Sequence, residues 1–524
     1  MPYRPTRPLP AALLLAAVLP AQQGPQTVPE ATDHARTSRA AEVARFVAAC
    51  TTLPHGDRLH VRSAGRSKQD RDQLLVEVAL PSAPTPRLRA LIIGNIHAGE
   101  IEGKEAIQQL VREFALGEHA DVLARCDLWL LPIYNVDGNE AEGLKNRAGQ
   151  NGPDLVGQRA NAQGLDLNRD FVKAEAPETQ NLLRLFVDVD PHLFVDLHTT
   201  NGSYHGYHLT YAPSLSPNQD PGLAALSRTL LDDAQAAMLG GGFATFDYGN
   251  FETRDWDGGG APESGGVRGW YSYDHRARYG VNYFGLRNRI GILSEAYSYA
   301  DFKTRIAATH AFMLALLRGL VARADDVLAK TAEADRRLAA AEPVAFGYDT
   351  TFAAPETMPV LVGAVTREEG SGERPLRFVR AGDGTAETMP VFRSFAAKAS
   401  VALPAAWAIR EPSPEVMALL ERHGVAVTRL DAPRVVAAQT FSVTKKRKPK
   451  RPFQGHQELH LEGAWGEAVS VELPAGTLLV EAKQPLGRLC ATLLEPKSED
   501  SLSTWNYFEA KTTDVYPVLR VVRR

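Results

Sequence analysis

The sequence predicts an α/β domain with a mostly parallel or mixed β-sheet, followed from about residue 341 by a smaller β-rich domain. Three observations carry this reading. Between residues 40 and 340, apolar runs of strand length alternate with amphipathic helical patterns. Several of those runs end in polar residues suited to metal binding or proton transfer. Beyond Pro343, short apolar runs punctuated by Pro and Gly take over.

Taken in order, the chain opens on a basic segment with Arg4 and Arg7, an apolar stretch from Ala11 to Leu19, and Pro20-Ala21-Gln22. That layout reads as a secretory signal over residues 1–21, with a disordered tail as the competing reading. Residues 22–40 are polar and read as a flexible lead-in. A helix is expected over Ala40 to Cys50 and a strand over Gln73 to Leu80. The run Ala90 to Ile93 forms a buried strand that closes on Gly94, and a helical pattern starts near Glu102. Asp127 to Tyr134 is another buried strand, ending at Asn135-Val-Asp-Gly. Residues 138–170 carry little apolar matter, and so long a loop in a folded domain usually has a function. A helix from Pro177 leads to a strand, Leu193 to Leu197, that ends at His198. After a helix over 221–239 come glycine-rich residues 257–266, a candidate flap. The strand from Ile290 carries Glu295 at its C-terminal end, and a helix or helix pair from Phe302 to Ala340 closes a domain spanning 22–340. Strands over Pro359 to Val365, Leu376 to Arg380, Ala468 to Leu473 and Thr477 to Val480 mark the β-rich part, 341–524, with one helix near Pro414 to His423. Glu-Thr-Met-Pro-Val occurs twice, at 356–360 and 387–391. The basic run Lys445 to Arg451 reads as a solvated loop.

With 524 residues, 44% hydrophobic and 23% charged, the chain has the composition of a globular protein with two or three cores. A net charge of −4 gives no support to nucleic-acid binding. No stretch after the N-terminus is expected to span a bilayer. The three cysteines, Cys50, Cys126 and Cys490, lack metal-ligand spacing and read as buried thiols, one disulfide being the alternative.

Ligands of α/β sheets gather beyond the carboxyl ends of the strands. The polar residues at those ends are His97 and Glu100, Asn135 and Asp137, His198, and Glu295. Two histidines and a glutamate suit Zn²⁺ with a fourth position left for water. His198 follows His97 by 101 residues, at the end of its own apolar strand. Glu295 then offers a carboxylate to take the proton of activated water. A solvated His-x-x-Glu loop and a strand-end salt bridge are the plainer alternatives. The loop adds Arg159, Asp166, Asn168 and Arg169. Adjacent Asn and Arg can hold a carboxylate, and a further arginine can stabilise an oxyanion.

His97-Ala-Gly-Glu-Ile-Glu-Gly, Asn135-Val-Asp-Gly, Leu165-Asp-Leu-Asn-Arg-Asp-Phe, Ala176-Pro-Glu-Thr, Asp196-Leu-His and Leu293-Ser-Glu together resemble the zinc carboxypeptidase family of carboxypeptidases A and B. The resemblance covers roughly residues 70–310. It implies a twisted mixed β-sheet flanked by helices, one Zn²⁺, and hydrolysis of the C-terminal bond of peptides that carry a free carboxylate. Carried over by position, His97, Glu100 and His198 are the metal ligands and Glu295 the general base. Asn168 and Arg169 hold the terminal carboxylate, and Asp166 orients His97. Arg159 polarises the scissile carbonyl, with Arg147 a competing choice. Tyr273 matches the family's substrate-contacting tyrosine, although Tyr271, Tyr279 and Tyr283 lie near. Asn135-Val-Asp-Gly departs from the usual Asn-Pro-Asp-Gly. The segment expected to line the specificity pocket, from Asp274, does not match the digestive members. Its four arginines, 276, 278, 287 and 289, suit either acidic side chains or plain salt bridges. Too few residues precede the first strand for an inhibitory propeptide.

The leading expectation is therefore an exported zinc metallocarboxypeptidase, secreted or periplasmic. A muropeptide peptidase or an N-acyl amino acid amidohydrolase on the same fold is the alternative, and muropeptide substrates separate it from the first. A peptide-binding module with a dead site is the third, disfavoured because every ligand, the base and the Asn-Arg pair are intact.

Overall fold

An eight-stranded mixed sheet organises the first half of the chain. The computed structural model describes residues 24–522 apart from 81–85, 254–264, 340–343, 371–375 and 509–512. The segment read as a signal peptide lies outside the described residues, as do most of the candidate flap and the expected domain boundary. The strands are β1 (Leu59–Arg66), β2 (Asp72–Val78), β3 (Leu88–Gly94), β4 (Cys126–Leu131), β5 (Leu193–Thr200), β6 (Leu209–Pro213), β7 (Thr245–Asp247), β8 (Asn250–Phe251), β9 (Trp270–Tyr271) and β10 (Ile290–Tyr297). The large sheet runs β1-β2-β4-β3-β5-β10-β6-β7. Its centre, β4-β3-β5-β10, is parallel, while β1, β2 and β6 supply antiparallel pairings. Strands β5 and β10 are buried along their whole length, as central parallel strands covered on both faces should be.

The helix Glu102–Leu116 packs directly on the sheet. Gly103 permits this, since a Cβ there would stand 2.7 Å from Leu197 Cβ. The helix stops at Gly117, whose φ of 94° closes its last turn. Residues 24–39 are not the flexible lead-in that their polarity suggests. Glu30 pairs with Arg112 at 2.6 Å, and buried Thr37 and Ser38 donate to the Glu105 carboxylate. Composition missed this because the anchoring is polar. The expectation that nothing past the N-terminus is apolar and long enough to span a bilayer needs correcting on length and composition alone. Phe302–Ala322 is long enough, with a mean hydropathy of 1.4, yet Ile306, Phe312, Leu316 and Leu320 are buried in the core against neighbouring helices. All three cysteines are free and buried.

The second half is β-rich, as expected. Strands β11 (Ala345–Phe352) and β14 (Phe395–Ala402) pair with each other. Between them β12 (Glu356–Glu368) and β13 (Arg377–Phe392) form a long hairpin. The two Glu-Thr-Met-Pro-Val copies lie opposite one another in this hairpin, with Met358 facing Met389. Six further short strands form a sheet from β15 (Ala406–Ile409), β16 (Thr428–Arg429) and β17 (Arg434–Gln439), through β20 (Val469–Leu473) and β21 (Leu478–Glu481), to β22 (Val518–Val521). Strands β18 (Phe441–Arg447) and β19 (His460–Trp465) pair separately, so the basic run begins on a strand rather than in a loop. Its side chains are exposed, and Lys445 meets Glu462 at 2.8 Å. Trp505 is core, 1% exposed.

The two halves interlock. Strand β13 adds to β9, giving the sheet β12-β13-β9-β8. The helix Pro414–Arg422 delivers His423 to the first half, where Nδ1 lies 2.7 Å from Tyr283 Oη and Nε2 lies 2.9 Å from the Val172 carbonyl. Burial pushes His423 down to about 3, with the Arg287 charge acting in the same direction. The unfolded chain therefore binds a proton here that the folded chain refuses, and stability falls as pH drops from about 6.5 toward 3. The loss from this group is on the order of 4 kcal/mol. Thermal unfolding followed between pH 7 and pH 4 should show a fall in Tm that is shallower in His423→Gln.

Candidate active site

Strands β3, β5 and β10 deliver their carboxyl ends side by side. Glu295 on β10 is the register partner of His198 on β5, and Gly94, which ends β3, is that of Leu197. Past Gly94 the chain turns sharply at Asn95, whose φ is 64° and whose Nδ2 donates to the carbonyls of Ala98 and Glu100. Asparagine tolerates that left-handed backbone, and its amide fixes the turn that presents His97 and Glu100. Gly99 leaves room for Arg147, whose Cγ would stand 2.4 Å from a Cβ there.

His97 Nδ1 lies 3.1 Å from Glu100 Oε1, and His198 Nδ1 lies 2.9 Å from Glu100 Oε2. One donor atom from each of the three residues falls within 4.8 Å of the others, and all three side chains are buried. The remaining ring nitrogens face carboxylates. His97 Nε2 is 3.0 Å from Asp166 Oδ1, and His198 Nε2 is 2.8 Å from Asp196 Oδ2, a close contact rather than a directed hydrogen bond. Ligating histidines are usually oriented this way. The donor set, its spacing and the outer carboxylates thus fit a zinc ion. Burial opposes the charge on Glu100, but His97 and then Arg147 hold it well below the usual carboxylate range.

Arg159, Asn168, Arg169, Tyr273 and Glu295 line the same cleft of about 170 Å³. Asp166 is a hub: Oδ1 also accepts from Asn168 N at 3.0 Å, and Oδ2 accepts from Arg159 Nε at 3.0 Å. Arg159 Nη1 also approaches Glu100 Oε1 at 3.5 Å. Arg147, the competing choice, donates to Glu100 Oε1 at 3.0 Å and to the Thr199 carbonyl at 2.7 Å. Asn168 accepts from Gly280 N at 2.9 Å. Arg169 is braced by the Asn168 carbonyl and lies over the Tyr279 ring, 3.9 Å from its centroid. Tyr273 lines the cleft between Tyr248 and Tyr279, with its hydroxyl 3.4 Å from Asn282 Oδ1. Burial pushes Glu295 up to about 8, opposed by His198 and aided by Glu100, and its Oε2 is buried with no hydrogen-bond partner among the described residues.

Two strand-end residues serve elsewhere. Asp137 binds Ser67, Gln69 and Arg71, while Asn135 caps its own turn and donates to the Arg159 carbonyl. The four arginines after Asp274 lie outside the cleft lining. Arg276 pairs with Asp274, Arg278 with Asp500 and Glu458, Arg287 with the His423 carbonyl, and Arg289 with Asp190 and Asp335. Sequence reasoning missed Asn95 and Tyr248. Asn95 was legible as a turn former between a strand and the His-x-x-Glu. Tyr248 gave no signal, because it reaches the cleft from the end of the short edge strand β7.

The family described as zinc carboxypeptidase matches residues 48–289. Carboxypeptidase 2 of Trichophyton tonsurans is 23% identical over 461 residues, which span 83% of this chain and 77% of that protein. Human carboxypeptidase Z is 37% identical over 121 residues, 21% of this chain and 18% of its own. Among solved structures, a metallo-carboxypeptidase from Burkholderia cenocepacia gives a TM-score of 0.42 at 18% identity, covering 55% of this chain and 70% of that one.

Proposed function

We propose that the chain is a metallopeptidase of the zinc carboxypeptidase family, the family that matches residues 48–289, and that it removes C-terminal residues from peptides. One observation carries the reading. Two imidazoles and a carboxylate, drawn from positions 97, 100 and 198, converge within 4.8 Å beside a buried carboxyl with one oxygen unpartnered among the described residues.

His97, Glu100 and His198 hold one Zn²⁺ in this reading. The ion supplies Lewis acidity, which polarises a carbonyl and lowers the pKa of water. Glu295, with a proton affinity raised toward neutrality, accepts a proton from water and returns it to the departing amine. Arg159, half exposed at the rim, stabilises the negative charge that develops on the carbonyl oxygen. Arg147, tied to Thr199 and Glu100, holds Glu100 in place. Asn168 and Arg169 bind the terminal carboxylate, with Arg169 aimed by its stack on Tyr279. Tyr273 contacts the substrate's last residue. Residues 1–21, as a signal peptide, send the chain out of the cytoplasm.

The test pairs metal analysis with a matched set of peptides. One zinc per chain is expected. Amidating the substrate's C-terminus removes a charge-assisted contact and should lower kcat/KM by about 10- to 100-fold. Equal rates on free and amidated peptides would overturn the exopeptidase mode.

A further inference from the structure

The loop that carries Arg147, Arg159, Asp166, Asn168 and Arg169 has little apolar matter of its own and is held from outside. Near its start, Gly149 N donates to the Leu376 carbonyl at 3.2 Å and Phe378 N donates to the Gly149 carbonyl at 2.9 Å. Arg377 pairs with Asp154 beside them. Near its end, Gln454 Oε1 accepts from Asp166 N at 2.8 Å, and His456 Nε2 lies 2.8 Å from Glu175 Oε1. Every one of these props comes from beyond residue 340.

The Gln454 contact reaches deepest into the site, because Asp166 itself bridges His97 and Arg159. Gln454 sits in a two-residue turn closed by hydrogen bonds of 2.8 and 3.0 Å between Phe453 and His456. Its φ is 50° and that of Gly455 is 79°. Glycine or asparagine would sit there with less strain, but neither has a side chain of glutamine's length. The turn is stiffened by Arg278, whose guanidinium lies 5.4 Å from the Phe453 ring centroid and 4.6 Å from that of Trp505.

We propose that the C-terminal half is a working part of the active site, and that Gln454 is a positioning residue. It fixes the Asp166 backbone so that one carboxylate holds His97 and Arg159 at once. This rests on the reading of His97 as a zinc ligand.

Two variants of the full chain test it. Gln454→Gly relieves the backbone strain and removes the acceptor, whereas Gln454→Glu keeps an acceptor at the same reach. Gln454→Gly should unfold at or above the wild-type Tm. Its 160–170 segment should nevertheless exchange amide hydrogens faster, and zinc should pass to a competing chelator roughly three- to tenfold sooner. The value of kcat should fall by a similar factor with KM within about twofold. Gln454→Glu should stay close to wild type in exchange and zinc release. Wild-type exchange and zinc release in Gln454→Gly would overturn the proposal, as would a Gln454→Glu chain impaired to the same degree. A wild-type chain that binds no zinc and cleaves no peptide would instead sink the proposed function, and amide exchange alone would then decide the role of Gln454.

Discussion

Glu295→Gln is expected to lower kcat by roughly three orders of magnitude while zinc stays bound at one per chain. The substitution keeps shape and volume on β10 and removes only the capacity to take and return a proton. Glu295 stands in register with His198 but is outside the triad whose donor atoms lie within 4.8 Å. Zinc retention should therefore be untouched. Stability should hold or rise, because burial already disfavours the ionised carboxyl and an amide avoids that cost. His198→Ala provides the contrast, since it should lose the metal and the activity together. Wild-type turnover in Glu295→Gln would show that another group moves the proton. Loss of zinc from the same variant would make Glu295 part of the metal's own support.

Much of this site was legible because its residues stand where strand patterns end. His198 and Glu295 close mainly apolar runs, which any reading of hydrophobic periodicity would mark, and β5 and β10 are found there. His97 and Glu100 follow β3 across a turn whose Asn and Gly are visible in the sequence. What stayed illegible depends on partners far apart in the chain. In the sequence Arg278 is open to a specificity role, with salt bridging the favoured reading, and it takes Asp500, 222 residues away, to show which partner holds it. Residues 24–39 look unstructured because polar contacts to Glu105 and Arg112 hold them down rather than an apolar face. The repeated Glu-Thr-Met-Pro-Val carried no mechanism as a string, and its pairing with its own copy follows from the hairpin's register. Gln454 was beyond reach altogether, since a glutamine just past a basic, proline-bearing stretch reads as surface.

Ending the chain after Ala339 is expected to abolish folding to a soluble, cooperative state, the largest effect on stability foreseen here. Composition argues for separable units, but the core crosses between the halves. Phe171, Leu182, Phe186, Phe194 and Phe284 of the first half share one buried cluster with Trp407, Val416, Leu419, Leu489 and Trp505 of the second. Re-exposing each large apolar side chain costs about 1.5–3 kcal/mol, so four or five of them rival the roughly 5–15 kcal/mol by which a domain is stable. Polar losses add to this. Arg278 would lose Asp500 and Glu458, Tyr283 would lose His423, and Asn288 would lose the Arg488 guanidinium and the Pro485 carbonyl. The two-residue strand β9 would keep only β8 as a neighbour once β13 is gone. Expression of residues 24–339 should give inclusion bodies, or a collapsed chain that binds hydrophobic dyes and melts without a sharp transition. A soluble 24–339 fragment with native-like near-ultraviolet dichroism and a single sharp melt would show that the first half holds its own core. The C-terminal contacts would then act only on the active-site loop, and zinc should leave the fragment faster than the full chain even though the fragment folds.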